Sequence, residues 1–337
     1  MISILYIGNK LSHRGFTKGV IETLGPQLQT IGYKIFYAGE ELNPILRLWE
    51  MLSAIIKYRK KVDYLLIDTY STRAFWFAWL SGLFARLFAI SYIPILHGGN
   101  MSARLKKSKW ACKILFNYSK ANVAVSGYLK KVFNEAGFKT IVIHNNIDIS
   151  KYPFYHRIIL KPRILWVRSF QSQYNPKMAV NVLTGLLKYF VNAELCMVGP
   201  DKDGSMDNFI EYATEKRVIN RIKITGILSK QEWINLSTKY DIFINTTNVD
   251  NTPVSIIEAM ALGLPVVSTN VGGLPYLINN SQDGFLVEPD NAGAMVEKIK
   301  LLISDNNLSK EITLNARKKI EEMDWEKVKT EWKKLLQ

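Results

Sequence analysis

The stretch from Asp250 to Gly273, DNTPVSIIEAMALGLPVVSTNVGG, gathers residue types that could do chemistry together. One carboxylate, Glu258, stands inside the apolar run Ile256, Ile257, Ala259, Met260 and Leu262. These apolar positions spread around most of a helix surface, which predicts a largely buried helix. A buried carboxylate is costly without hydrogen-bond donors, and the diol of a ribose would offer two. The competing reading is a Glu at an exposed gap in the helix face. Thr252 is expected to cap this helix, with Pro253 in its first turn and Gly263 ending it. The free N–H groups and dipole at such a start suit an anion such as a diphosphate. Ser255 lies in the same first turn. Asp250, just before that terminus, either faces a ligand or is an ordinary capping carboxylate. Gly272-Gly273 follows a strand and either lets backbone approach a ligand closely or makes a tight turn.

Three further groups stand out. Arg168 ends an apolar strand, Arg163–Val167, and a guanidinium there suits phosphate oxygens; alone it would read as a surface cation. His97-Gly98-Gly99-Asn100 follows a buried strand, where a His could donate to a sugar hydroxyl or be purely structural. Lys177 follows Arg168 by nine positions. Cys112 and Cys196 lie in apolar segments and read as buried thiols; no CxxC or HxxxH spacing points to a metal.

These residues need a scaffold, and the alternation of strand-like and helix-like runs predicts one. Six strands are expected in each half: Ile2–Ile7, Lys34–Tyr37, Tyr64–Asp68, Ile93–Leu96, Ala121–Val125 and Thr140–Ile143, then Arg163–Val167, Ala193–Val198, Ile222–Ile224, Ile242–Asn245, Pro265–Thr269 and Gly284–Val287. Helical patterns separate them, the mark of parallel α/β sheets. The Pro-containing link Asn145–Pro162 is the best boundary, giving domains 1–155 and 156–315 and a C-terminal helical stretch, 316–337, expected to pack back toward the first domain. Two such halves predict a ligand cleft at their junction. Neither GxGxxG after the first strand nor GxxxxGK[ST] occurs, so dehydrogenase and P-loop readings fail.

The Asp250–Gly273 block resembles the retaining glycosyltransferases of family 4, which have the GT-B fold: two Rossmann-like domains whose parallel sheets face a deep interdomain cleft. The resemblance rests on two carboxylates separated by seven residues (Asp250, Glu258), Glu258-Ala259-Met260-Ala261, Gly263-Leu264-Pro265-Val266-Val267 and Gly272-Gly273. It continues in Asp283-Gly284-Phe285-Leu286-Val287, Val125-Ser126 and Asn145-Asn146-Ile147-Asp148. It implies that Glu258 binds the nucleotide ribose, that Asp250 faces the donor sugar, and that Arg168 holds the diphosphate. His97 matches the family's cleft histidine, which with Asp250 and Arg168 makes the catalytic set. Arg14, Gly15, Gly98 and Asn100 fall on the acceptor side; Lys177, Thr252, Ser255, Gly272 and Gly273 fall on the donor side. The chain departs from the pattern at Tyr174, where the family has lysine, so Lys177 is expected to reach the diphosphate instead. It departs again at Asp250 (usually Glu) and at Pro253 (often Gly). The implied activity is sugar transfer from a nucleotide-sugar, UDP-linked, to a glycan or lipid-linked acceptor in cell-surface polysaccharide synthesis, with no cofactor and no metal. Alternatives are a non-catalytic GT-B scaffold, a sugar-nucleotide epimerase and a phosphorylase, the last lacking any pyridoxal-lysine motif.

Charge adds a partner. The chain carries 44 Lys/Arg against 29 Asp/Glu. Residues 1–155 hold 21 of the cations and 8 of the acids, so the first half is expected to meet something anionic. Arg47–Lys61 and Arg104–Lys113 interleave basic and aromatic residues and read either as membrane-surface helices or as solvated helix faces. No RRM, KH or helix-turn-helix pattern accompanies them, so nucleic acid is not expected. The N-terminus reads as a strand rather than a signal peptide. Ala74–Leu96 reads as a helix followed by a strand rather than a membrane span. The expected location is cytoplasmic, peripheral on the inner face of the cell membrane.

Overall fold

The computed structural model describes residues 1–14, 18–98 and 100–337. The chain forms two units, Met1–Asn146 with Trp325–Gln337, and Ile147–Asp324. In the first, the order is β1 (Ser3–Ile7), α1 (Ile21–Thr30), β2 (Lys34–Ala38), α2 (Pro44–Tyr58), β3 (Tyr64–Thr69), α3 (Phe75–Leu87), β4 (Ser91–Leu96), α4 (Met101–Lys107), α5 (Lys109–Asn117), β5 (Asn122–Ala124), α6 (Gly127–Glu135) and β6 (Thr140–Val142). The second continues with β7 (Arg163–Val167), α7 (Pro176–Leu186), β8 (Glu194–Val198), α8 (Ser205–Glu215), β9 (Ile222–Gly226), α9 (Lys230–Ser237), β10 (Ile242–Asn245), α10 (Val254–Ala261), β11 (Val266–Thr269), α11 (Leu274–Leu277), β12 (Phe285–Val287), α12 (Ala292–Ser304) and α13 (Asn306–Glu321). Finally α14 (Trp325–Leu335) belongs to the first unit.

All twelve expected strands form, each within a few residues of its predicted ends. They make two six-stranded parallel sheets, ordered β2-β1-β3-β4-β5-β6 and β12-β11-β10-β7-β8-β9. The strand sequences are continuous apolar runs because helices cover both faces of each sheet; Ile4, Leu5, Leu65, Leu66, Leu165 and Trp166 are fully buried. Caps fix the helix starts. Asn43 accepts from Ile45 N ahead of Pro44 in α2, and Ser229 and Glu232 form a capping box on α9. In each sheet the chain reverses its winding beside the first strand, between β1 and β3 and between β7 and β10. Such a switch point leaves a crevice at the strands' carboxyl ends.

The structure divides the chain at Asn146/Ile147 rather than near residue 155. Ile147 pairs with Asp324, Ile149 N donates to the Asp324 carboxylate at 3.0 Å, and Tyr152 packs in the second unit's core. The C-terminal stretch is two helices broken at Glu322–Asp324, not one. Its tryptophans, Trp325 and Trp332, are buried in the first unit's core with Val328.

Arg157 joins the ends of two helices that carry the site. Its guanidinium donates to the carbonyls of Ser237 (2.8 Å) and Tyr240 (2.9 Å) after α9, and to those of Leu262 (3.1 Å) and Gly263 (3.0 Å) after α10. Burial pulls its pKa down to about 10. Removing it strands these carbonyls, so Arg157→Leu is expected to cost about 3 kcal/mol in urea denaturation, with partial recovery in Arg157→Lys. An unchanged midpoint would show that water replaces the guanidinium without loss.

Candidate functional site

At the second unit's switch point, Arg168 leaves the end of β7 and Asn245 ends β10. Arg168 Nε donates to Asn245 Oδ1 at 3.4 Å, and its outer nitrogen forms an ion pair with Asp250. The pair is mostly buried, with side chains 15% and 16% exposed. Asp250 Oδ1 also accepts from Asn251 N at 2.8 Å. The Tyr174 ring, 4.8 Å from the guanidinium carbon, lies against Arg168. The residue in the family's lysine position thus backs the arginine with an aromatic face. Asn175, left-handed with φ 48°, then caps α7 by accepting from Met178 N.

Lys177 does not take the missing lysine's place. It projects from the first turn of α7 over the Tyr212 ring, 5.3 Å from its centre. Two residues past the N-cap Asn175, its side chain lies toward Tyr212 of α8, which sequence spacing alone does not reveal.

Helix α10 is buried as expected, but its start is different. Pro253 occupies the N-cap, and no side chain caps the helix. Thr252 Oγ1 and Ser255 Oγ are both sealed from solvent and without hydrogen-bond partners. The reason is Pro253: its extended backbone, ψ 119°, sets it and not Thr252 at the cap. Two unpartnered hydroxyls beside free helix N–H groups form a donor set for an anion.

Glu258 is buried, 4% exposed. Protein groups already meet it. Tyr152 Oη donates to Oε1 at 2.8 Å, Trp233 Nε1 to Oε2 at 3.1 Å, and Lys230 forms an ion pair with Oε1. Burial first, then Glu258's charge, push the Tyr152 phenol far above its usual pKa, so it remains a donor. The expectation that a ligand would supply Glu258's donors is therefore corrected: Tyr152, Trp233 and Lys230 stabilise the carboxylate in the free protein. Sequence reasoning missed all three, which lie 106, 25 and 28 positions away. Lys230 is more than half exposed, so its ammonium has room to move.

Gly272 and Gly273 serve the backbone. A Cβ on Gly272 would lie 2.0 Å from the Asp250 carbonyl oxygen, and one on Gly273 2.1 Å from that of Asn251. Gly273 N donates to the Asp250 carbonyl at 3.1 Å. The pair lets the β11–α11 turn press on the loop that aims Asp250. Gly273→Ala is expected to cost about 2 kcal/mol through this clash and to separate Asp250 from Arg168. Thermal unfolding together with nucleotide affinity checks it; a variant unchanged in both would show a loop that yields freely.

In the first unit, His97 directly follows β4, also close to a switch point. It is 6% exposed, and its Nε2 lies 3.0 Å from Asp68 Oδ1 on β3. Tyr6 Oη donates to the same oxygen at 3.0 Å, and Tyr70 packs its ring 5.2 Å from the imidazole. Burial first, then Asp68's charge, keep the Tyr6 phenol protonated. Asp68 Oδ2 is sealed and unpartnered. A His–carboxylate pair of this kind fixes ring orientation and tautomer. Asp68 escaped the sequence reading because it sits as one acid in a strand. Gly98 has φ 90° and Asn100 precedes α4. Arg14 ends a short 3-10 turn, exposed, with Nε 3.2 Å from His13 Nε2. Gly15 and Gly99 lie outside the described residues. Cys112 and Cys196 are buried free thiols, and burial pushes Cys112 up to about 11. Among the described residues no cluster of three His, Cys, Asp or Glu side chains is placed to hold a metal.

Comparison with known proteins fits this arrangement. Residues 155–319 match the family of glycosyl transferases group 1. An uncharacterized glycosyltransferase of Methanocaldococcus jannaschii is 25% identical over 244 residues, 71% of this chain and 66% of that relative; the chain thus spans about two thirds of its length. The Escherichia coli UDP-Gal:alpha-D-GlcNAc-diphosphoundecaprenol alpha-1,3-galactosyltransferase is 23% identical over 294 residues, 80% of this chain and 74% of the relative. The structure of sucrose-phosphate synthase from Thermosynechococcus elongatus superposes with a TM-score of 0.82 at 15% identity, covering 99% of this chain and 98% of the other. The fold is thereby the two-sheet α/β fold of GT-B proteins. The group 1 match over the second unit and the named relatives together support reading the chain as a glycosyltransferase.

Proposed function

We propose that the protein transfers a sugar from a nucleoside-diphosphate donor, UDP-linked, to a glycan or lipid-linked acceptor in cell-surface polysaccharide synthesis, retaining the anomeric configuration. The observation that carries this is the convergence of Arg168, the start of α10 with its two unpartnered hydroxyls, and buried Glu258 around one end of the second sheet. Charge grows on the leaving diphosphate as the glycosidic bond breaks. Arg168, on leaving Asp250, and the free N–H groups of α10, joined by Thr252 and Ser255, meet that charge. Glu258 receives the ribose hydroxyls as Lys230 turns away from it toward the phosphates. Asp250, released from Arg168, faces the donor sugar. The leaving phosphate takes the acceptor proton in a front-face attack, and no metal is required. In the first unit, Asp68 fixes the His97 ring for contact with a sugar hydroxyl. The similarity to a galactosyltransferase whose named substrates are UDP-Gal and a diphosphoundecaprenol-linked sugar supports a uridine donor and a lipid-linked acceptor. The basic first half supports work at the cytoplasmic face of an anionic membrane.

A second reading, a non-catalytic scaffold, has one observation in its favour: Asp250 and Glu258 are both occupied by protein cations. Titration calorimetry with UDP, GDP and ADP separates the two. Selective UDP binding that Glu258→Ala weakens by about a hundredfold is the expected result. No binding by any of the three would sink the transferase reading.

A further inference from the structure

Between Asp68 and Glu135 the chain carries ten Lys or Arg and no Asp or Glu. This stretch includes α3, α4 and α5. Helices α2 and α3 pack side by side, as do α3 and α5, so the three form one layer over the first sheet. Each turns an apolar or aromatic stripe outward. On α2 the stripe is Ile45, Trp49 and Ile56, at helical spacing, with Trp49 69% exposed. On α3 it runs from Trp76 to Leu87, the latter 72% exposed. On α5 it is Trp110, 68% exposed. Three indoles touch in sequence: Trp76 and Trp79 with centroids 5.7 Å apart, then Trp79 and Trp110 at 5.6 Å.

Beside these indoles lies a hollow of about 500 Å³ lined by Arg73, Trp76, Arg104, Lys107, Lys109 and Trp110. Arg104 builds its floor, donating to the Ser71 and Thr72 carbonyls and to the Ser108 hydroxyl. Arg73, Lys107 and Lys109 have no carboxylate within ion-pair distance among the described residues. Exposed tryptophans are amphipathic and favour the boundary between headgroups and acyl chains. Uncompensated cations beside them favour anionic headgroups. A second copy of this face would instead oppose cation to cation.

We propose that the outer face of α2, α3 and α5 is a docking surface for an anionic phospholipid bilayer, with Trp49, Trp76 and Trp110 entering the interface and the Arg73–Lys107–Lys109 hollow receiving a lipid phosphate. This deepens, and rests on, the reading that the first unit works at an anionic membrane. It goes further in naming the face, its anchors and its phosphate seat. No helix among the described residues is long and apolar enough to cross a membrane, so this is attachment in the plane of the surface.

The test is cosedimentation of the full chain with vesicles of phosphatidylcholine alone and with phosphatidylglycerol added, alongside tryptophan emission. Binding to the anionic vesicles with a blue shift is expected, weakened by added salt. The pair Trp49→Ser/Trp110→Ser is expected to lower partitioning by about tenfold. The triple variant Arg73→Glu/Lys107→Glu/Lys109→Glu, which reverses the charge of the hollow, is expected to lower it by about a hundredfold or more. All these side chains are exposed, so unfolding midpoints serve as the folding control. Anionic binding that both variants retain in full overturns this face while leaving membrane work intact. No binding to either vesicle overturns both. A concentration-dependent dimer broken by the tryptophan pair assigns the face to a second copy. UDP calorimetry on the same samples reports separately on the donor site.

Discussion

Arg168→Ala is expected to lower turnover in sugar transfer by about two to three orders of magnitude, the usual loss when a preorganised group facing developing charge is removed. The guanidinium stands at the end of β7, braced by Asn245 and backed by the Tyr174 ring. On the proposed reading it would meet the diphosphate once Asp250 lets go of it. Its removal has a second effect: Asp250, mostly buried, loses its cation and becomes an uncompensated negative charge close to the phosphates. Arg168→Lys is expected to recover little, because an ammonium cannot reproduce the planar fork that spans two oxygens. The diagnostic comparison is uridine against UDP. Loss confined to UDP places Arg168 on the diphosphate. Equal affinity for UDP in Arg168→Ala and the native protein would leave Arg168 as a structural partner of Asp250 only.

Glu258→Ala is expected to weaken uridine and UDP alike, by about a hundredfold, since two charge-assisted hydrogen bonds to the ribose would be lost. The same substitution strands the Tyr152 hydroxyl and the Trp233 indole N–H, both buried donors. A stability loss of about 3 kcal/mol is therefore expected as well. Glu258→Gln and Tyr152→Phe separate the two effects. Glutamine keeps the volume and one acceptor oxygen, but it gives up the charge that holds Lys230 and turns its NH2 against one of the two buried donors, Tyr152 or Trp233. It should lose about 1 kcal/mol, well short of the alanine variant's loss, and bind uridine about tenfold more weakly. Tyr152→Phe removes one donor and should cost about 1 kcal/mol in stability with little change in uridine affinity. Native-like uridine binding by Glu258→Gln would mean that the carboxylate only holds α9 and the segment after Ile147 onto α10.

The places where local pattern succeeded and failed have a common cause. Strands such as RILWV and IFIN are buried on both faces, so each residue votes the same way and the element is legible at short range. The α10 helix was legible for the same reason, and so was Glu258 as its buried carboxylate. Its cap was not, because proline's fixed geometry, rather than the capping preference of Thr252, decided where the helix begins. The domain edge moved because Ile147 and Asp324, 177 positions apart, pair with each other. Lys177 missed the arginine because direction around a helix, not distance along the chain, decides what a side chain meets.

By itself the sequence determined the class of the molecule: two parallel α/β sheets, the buried helix that carries Glu258, the arginine at a strand end and a basic first half. These follow from short-range periodicity and composition, which survive any detail of packing. Only the tertiary structure decided who partners whom. It put Tyr152, Trp233 and Lys230 on Glu258, Asp68 and Tyr6 beside His97, and three distant tryptophans on one helical layer. Such contacts arise where sheet order and crossover direction bring remote segments together, and no local pattern encodes them.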